Sequence, residues 1–220
     1  MVAAGAPPDI TLGLAVDSIN GLRNWSADVH GATAADAGFV EVLGLLDSLR
    51  RQGLLGFGFQ TKGDVQTADL LINDRPHTPR DAKARRLLEL LGLDPAAHSF
   101  PVAFGFGDGT RTEIKVYTRS LFEILSSLAA RISVPDGDVA GGHTYSTRPA
   151  PLGAIPTIAV KHQALPPWSD FAAVEYHGTW YWVDDADYAS KRVFSGLMLI
   201  PNAVEKTGEP QLPVITIPTG

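Results

Sequence analysis

The stretch AAVEYHGTWYWVDDADYASKRVFSGLMLI, residues 172–200, decides how the rest of the chain is read. Ala172–Tyr176 and Thr179–Val183 are rich in aromatic and β-branched residues, and only His177-Gly178 separates them. That is the pattern of two strands joined by a tight hairpin. Beyond them the period changes. Ala186, Ala189, Val193, Leu197 and Ile200 recur at helical spacing, and Asp184 or Asp185 stands where such a helix starts. The stretch predicts strand, strand, helix.

The same order occurs twice upstream. In residues 54–92, strands Leu54–Gln60 and Ala68–Asn73 precede a helix that follows Thr78 and Pro79. That helix carries Ala84, Leu87, Leu88 and Leu91 in line, and Gly92 stops it. In residues 99–132, FGFGDGTRTEIKVY reads as strands Phe100–Gly105 and Glu113–Thr118 joined through a Gly-Asp-Gly turn. A helix follows Thr118, with Leu121, Ile124, Leu125, Leu128 and Ile132. Another helix follows Thr33, with Phe39, Val42, Leu43, Leu46 and Leu49 on one face. Thr157–His162 and Pro213–Pro218 are further strand candidates. Ile10–Val16 alternates as a strand but equally opens a helix through Leu22.

Helix starts share a signature, a short polar residue with an acid three later: Thr33–Asp36, Thr78–Asp81, Ser120–Glu123 and Asp184–Asp187. The side-chain oxygen takes up an unpaired N–H, and the acid suits the positive end of the helix dipole. Ser120 instead lies just inside the helix if Thr118 is its cap. Asp187 is placed to pair with Lys191 at i+4.

Hairpins separated by single helices predict an α+β fold, or a layered α/β one. Its sheet is mainly antiparallel or mixed, with about four helices packed on it. A chain of 220 residues is long enough for a single domain over 1–220. Its start, MVAAGAPPDI, reads as a short Pro/Ala-rich tether and has neither the basic nor the long apolar region of an intact signal peptide. The aperiodic, Gly/Pro/Thr-rich segment Val134–Pro156 reads as the longest loop, or as a linker that divides the chain near residue 150.

The net charge of −6 argues against nonspecific nucleic-acid binding, which needs a surplus of Lys and Arg. One basic run, RPHTPRDAKARR (Arg75–Arg86), reads as a solvated helix face rather than a phosphate patch. The absence of cysteine excludes disulfides, thiolate catalysis and Cys-based metal sites. It suits the cytoplasm, or the periplasm if an export signal has been removed. No apolar run is long enough for a membrane-spanning helix.

Catalytic motifs do not emerge. Neither GFGFQTKGD (Gly56–Asp64) nor GFGDGT (Gly105–Thr110) has the spacing of a nucleotide-binding loop, and both read as hairpin turns. There is no G-x-S-x-G and no S-x-x-K. The six histidines show no metal-ligand spacing, and Asp136, Asp138 and His143 only superficially resemble the start of a calcium loop. No metal and no cofactor is expected. Alternation puts Trp180 and Trp182 on one strand face and Tyr181 on the other.

VEYHGTWYWVDDADYASKRVF followed by LPVITIPTG resembles the C-terminal end of a group of uncharacterised bacterial proteins. The matching positions are Tyr176, Gly178, Trp180, Asp184, Asp185, Asp187, Ser190, Lys191 and Phe194. VYTRSLFEIL and LLGLDP are similar to upstream parts of the group, so the likeness covers residues 85–220. It implies a bacterial protein and brings no activity with it.

Two functional expectations follow. One is a non-catalytic structural or protein-interaction domain, part of a larger bacterial assembly. Its partner is another protein or further copies of itself, and Trp180, Trp182, Lys191 and Arg192 are its candidate binding residues. The other is a small-molecule binder or hydrolase built from Asp184 or Asp185 with His143, which requires those groups to converge in one concave site.

Overall fold

The computed structural model describes residues 8–27, 32–62, 65–74, 79–147 and 158–205. The Pro213–Pro218 strand candidate and the N-terminal tether up to residue 7 lie outside the described residues.

An α+β fold with helices packed on a mixed sheet is what the chain forms. The described elements, in order, are α1 (Pro8–Ala15), β1 (Val16–Ile19), β2 (Leu22–Arg23), β3 (Ser26–Ala27), β4 (Ala32–Thr33), α2 (Ala37–Arg51), β5 (Leu55–Lys62), β6 (Val65–Ile72) and α3 (Ala82–Leu90). There follow β7 (Ser99–Phe104), β8 (Ile114–Thr118), α4 (Leu121–Ala129), α5 (Asp136–Ala140), β9 (Lys161–Gln163), β10 (Asp170–Tyr176), β11 (Thr179–Asp184) and α6 (Tyr188–Glu205). Ile10–Val16 therefore resolves as a helix that passes into a strand, and Val134–Pro156 contains a short helix.

Six strands form the main sheet in the order β2-β1-β8-β7-β6-β5. The α2 stripe read from the sequence is buried in full: Phe39, Val42, Leu43, Leu46 and Leu49. It joins Ala84, Leu87 and Leu88 of α3 and sheet residues such as Leu70, Ile72, Phe100 and Ile114 in one apolar core. A smaller core gathers Leu14 of α1, Ile124 of α4, Ile158, Val183 of β11 and Val193 of α6. It lies beneath the second sheet, β10-β11-β9. Leu14 and Ile124 precede residue 150 and the others follow it, so this core draws on both sides of the suggested division.

One hairpin expectation is overturned. β7 and β8 pair in parallel, with Val102 opposite Ile114 and Phe104 opposite Val116. Residues 105–113 carry the chain back along the sheet instead of turning tightly. Their glycines, which include Gly105 at φ 138°, show that the backbone must turn but not which strands become neighbours. The Asn20-Gly21 turn between β1 and β2 locks this return in place. Asn20 donates its side-chain amide to the Leu91 carbonyl (2.7 Å) and accepts from the Lys115 N–H (2.7 Å). By contrast, β10 and β11 form the expected hairpin, with left-handed backbone at His177 (φ 50°) and Gly178 (φ 77°).

The capping expectations divide. Ser120 and Glu123 form a complete capping box on α4, so Thr118 is not the cap. Asp36 and Asp81 are themselves the N-cap residues of α2 and α3. Thr33 lies in β4, and Asp36 accepts from the Arg23 N–H (2.7 Å). Thr78 is outside the described residues. The α4 stripe is only partly buried: Ile124 is enclosed, while Leu121 and Leu125 are exposed. In the basic run, Arg80 pairs with Asp74 (2.8 Å) and Arg86 with Glu41 (2.8 Å).

Candidate functional site

The β10–β11–α6 unit places every residue of the Asp-Asp-x-Asp turn. Val183 points into the smaller core. Alternation therefore turns Trp180, Trp182 and Asp184 to the opposite face. There β9 lies alongside, with Lys161 opposite Trp182 and Gln163 opposite Trp180. Lys161 Nζ stacks over the Trp182 ring (4.8 Å) and donates to Asp184 Oδ2 (2.8 Å). The other Asp184 oxygen accepts from the Ala186 N–H (3.0 Å). The Lys161 bond, then the Ala186 N–H, hold the Asp184 carboxyl below the usual aspartate range.

Asp187 rather than Asp184 caps α6. It accepts from the Ser190 N–H (3.0 Å) and from the Ser190 hydroxyl (2.6 Å). Those two bonds hold its carboxyl low. Ser190 is buried, and its Oγ also accepts from the Ala159 N–H (2.8 Å). The hydroxyl therefore clips the start of α6 to the chain entering β9. The expected Asp187–Lys191 pair does not form. Lys191 reaches back to Asp185 (2.7 Å) and lies over the rings of Phe171 (5.1 Å) and Tyr188 (5.3 Å). The turn over 184–187 brings Asp185 beneath the lysine, while Asp187 is engaged by Ser190. Arg192 is exposed.

His143 is not brought to these carboxylates. It follows α5, where its N–H donates to the Asp138 carbonyl (2.9 Å), and no hydrogen bond links it to Asp184 or Asp185. α5 lies on the Tyr181 side of β11. Burial, then the Asp138 charge, raise the Tyr181 phenol above its ordinary value. Among the described residues no group of three or more His, Asp and Glu is arranged to hold a metal ion.

A second place was not visible in the sequence. A cavity of about 590 Å³ opens between β3, α4 and residues 132–146. Its size lies within the range of small-molecule sites. Arg119 lines it, with a side chain only 4% exposed. Asp17 and Glu123 line it as well, and so do Ser26 and Ala27 next to Trp25 and Ala130 and Ile132 next to Arg131, while Trp25 and Arg131 themselves do not. Trp25 is 1% exposed and belongs to neither apolar core. Two guanidiniums stack on its ring, those of Arg119 and Arg131, each 5.3 Å from the centroid. Arg119 also donates to the Trp25 carbonyl and lies 3.7 Å from Asp17. Arg131 has no ion pair among the described residues, and its Nη1 is buried without a hydrogen-bond partner. Desolvation lowers the pKa of both arginines. No sequence spacing links positions 17, 25, 119 and 131, and only the fold brings them together.

No family model matches the chain, and no curated protein or solved structure matches it.

Proposed function

We propose that the chain is a non-catalytic protein-interaction domain of a larger bacterial assembly, docking through the face around β10. The observation that carries this reading is the exposure of β10 and its surroundings. Among the described residues β10 is paired on one edge only, to β11. Phe171, Val174 and Tyr176 along it are exposed, as are Trp168 before it and Tyr188 at the start of α6. An open strand edge flanked by apolar side chains suits a partner that adds an extended segment with alternating apolar residues. Lys191, held among Phe171, Tyr188 and Asp185, sits in this patch as an aromatic-flanked cation.

The hydrolase alternative gains no support from geometry. Asp184, Asp185 and Asp187 all have structural partners, and His143 makes no hydrogen bond to any of them.

The test is solution mass by light scattering across a concentration series, for the wild type and for Val174→Lys/Tyr176→Lys. A defined oligomer that the double variant loses supports self-docking. A monomer that captures a partner only in its wild-type form supports a foreign strand. Equal behaviour of the two proteins in both measurements overturns the proposal.

A further inference from the structure

The cavity between β3, α4 and residues 132–146 is lined by charged groups that are already matched and by hydroxyls that are not. Arg119 faces Asp17 and Glu123, and it donates to the Trp25 carbonyl. Glu123 in turn accepts from the Ser120 N–H (2.6 Å) and the Ser120 hydroxyl (2.8 Å). The hydroxyls of Ser26, Ser126, Ser127, Thr144, Tyr145 and Ser146 belong to the same lining, and none makes a hydrogen bond among the described residues. Ser127 tells most, because it is only 6% exposed. Buried polar groups as a rule have partners, and an enclosed helical serine commonly bonds the carbonyl four residues before it. The Ser127 hydroxyl has no such bond among the described residues, and the cavity it lines is where a partner would stand.

This lining selects the chemistry of a ligand. An anion would meet two carboxylates for one guanidinium. An ammonium set against Asp17 would sit beside the Arg119 guanidinium, and Glu123 is engaged at Ser120. A neutral molecule avoids both costs. A hydroxyl donates and accepts, so unpaired hydroxyls suit a ligand that carries several of its own. Asp17 lies 3.7 Å from Arg119 through Oδ1, which leaves Oδ2 to accept from such a ligand in the stronger, charge-assisted kind of bond. The walls also have an apolar side. Ala27, Ile132 and Val134 contribute to it, and the rings of Phe122 and Tyr145 are 80% and 67% exposed. A sugar ring has both characters, a rim of hydroxyls and apolar C–H faces that lie flat on an aromatic ring. The volume of about 590 Å³ is that of a small-molecule site.

We propose that this cavity binds a neutral mono- or disaccharide. A C–H face of the sugar lies on Phe122 and Tyr145, and its hydroxyls bond Asp17, Ser127 and the hydroxyls around them. The cavity shares no residue with the β10 face, so the site stands or falls independently of the docking proposal.

Titration calorimetry tests it with glucose, galactose, mannose, N-acetylglucosamine, maltose and cellobiose. Phenylacetate, phenethylamine and cyclohexylmethanol serve as the acidic, basic and apolar comparisons. At least one sugar is expected to bind with a Kd of about 1 mM or tighter, and each comparison compound at least about tenfold more weakly. Phe122→Ala removes a ring that belongs to neither apolar core, and should weaken the best sugar about three- to tenfold. Ser127→Ala should also weaken it, with Tm within about 2 °C of wild type, because the hydroxyl has no partner to lose inside the described fold. Phe122→Ala keeps the test decisive if Ser127→Ala fails to fold. No binding of any of these sugars up to about 10 mM, a comparison compound that binds as tightly as the best sugar, or undiminished sugar binding in either folded variant overturns the proposal.

Discussion

Removing the Ser190 hydroxyl separates an architectural role of the 184–191 turn from a chemical one. The Oγ donates to Asp187 (2.6 Å) and accepts from the Ala159 N–H (2.8 Å), and the residue is 2% exposed. Ser190→Ala leaves the Ala159 N–H without its acceptor and takes one bond from Asp187, which keeps the Ser190 N–H. A neutral bond contributes about 0.5–1.5 kcal/mol and one to a charged group about 1.5–3. Asp187 is half-exposed, so water recovers part of the loss, and about 2 kcal/mol is expected in total. In a chain of this length that is a fall of about 4–8 °C in Tm. Asp187→Ala loses the helix cap, which contributes about 1 kcal/mol, together with the same hydroxyl bond. Because the two variants share that bond, the double variant is expected to cost about 1 kcal/mol less than the sum of the singles. Urea unfolding at equilibrium, with the slope checked for constancy, measures all three. A Ser190→Ala protein within about 0.5 kcal/mol of wild type, or strict additivity, refutes the reasoning. Unchanged stability with loss of a hydrolytic activity would make Ser190 a nucleophile instead of a clip.

Acid is expected to loosen the same region. Hydrogen bonds to the ionised forms hold the carboxyls of Asp184, Asp187 and Glu123 below their ordinary values. Their contribution is complete above the unfolded-chain value and is lost as pH falls through the lowered folded one. Urea midpoints should therefore decline below about pH 4, and less steeply in Asp187→Ala; equal slopes would count against the assignment. Gly109→Ala should destabilise by about 1–3 kcal/mol. Its methyl group would meet the Asn20 side chain, which cannot retreat without breaking its bonds to Leu91 and Lys115; a neutral result in thermal unfolding would mean the Asn20 turn shifts freely. Because Leu14 and Ile124 share a core with Val183 and Val193, tryptophan fluorescence and far-ultraviolet dichroism should report one coincident transition. Two separated transitions would instead divide the chain near residue 150.

Local features of this fold were legible where the chemistry is local. The His177-Gly178 turn sits between two aromatic strands, and the left-handed backbone it needs follows from its residues. The α2 stripe from Phe39 to Leu49 is buried residue for residue. Legibility ended where the partner is distant. Nothing in FGFGDGTRTEIKVY shows that β1 pairs with one side of β8, or that β7 runs parallel on the other. Asn20-Gly21, the dipeptide most often found in tight hairpin turns, forms the turn between β1 and β2. The sequence masks this hairpin, because Asp17-Ser18 and Arg23-Asn24 break the apolar alternation around it. Asn24 is in fact buried, donating to the Gly13 (2.8 Å) and Val16 (2.7 Å) carbonyls. A cap within the 184–187 turn was legible, but the spacing pointed to Asp184 or Asp185 where Asp187 does the capping, and Lys191, four residues beyond Asp187, bends back to Asp185.

The contrast between the turn and the cavity bears on how sites are recognised. The 184–191 turn concentrates acids, a lysine and aromatics within a few residues, and so draws attention in the sequence. Once folded, its polar groups answer one another: Lys161 with Asp184, Lys191 with Asp185, Ser190 with Asp187. Groups so paired offer a ligand little, because binding would first have to break a bond of equal quality. The cavity draws on residues dispersed from Asp17 to Ser146, and Arg119 meets Asp17 and Glu123 there only through the fold. A concave, partly apolar place of this kind is a stronger pointer to a ligand than a dense polar motif whose groups are already paired. It is visible only after the chain has assembled α4 against β3 and closed residues 132–146 over them.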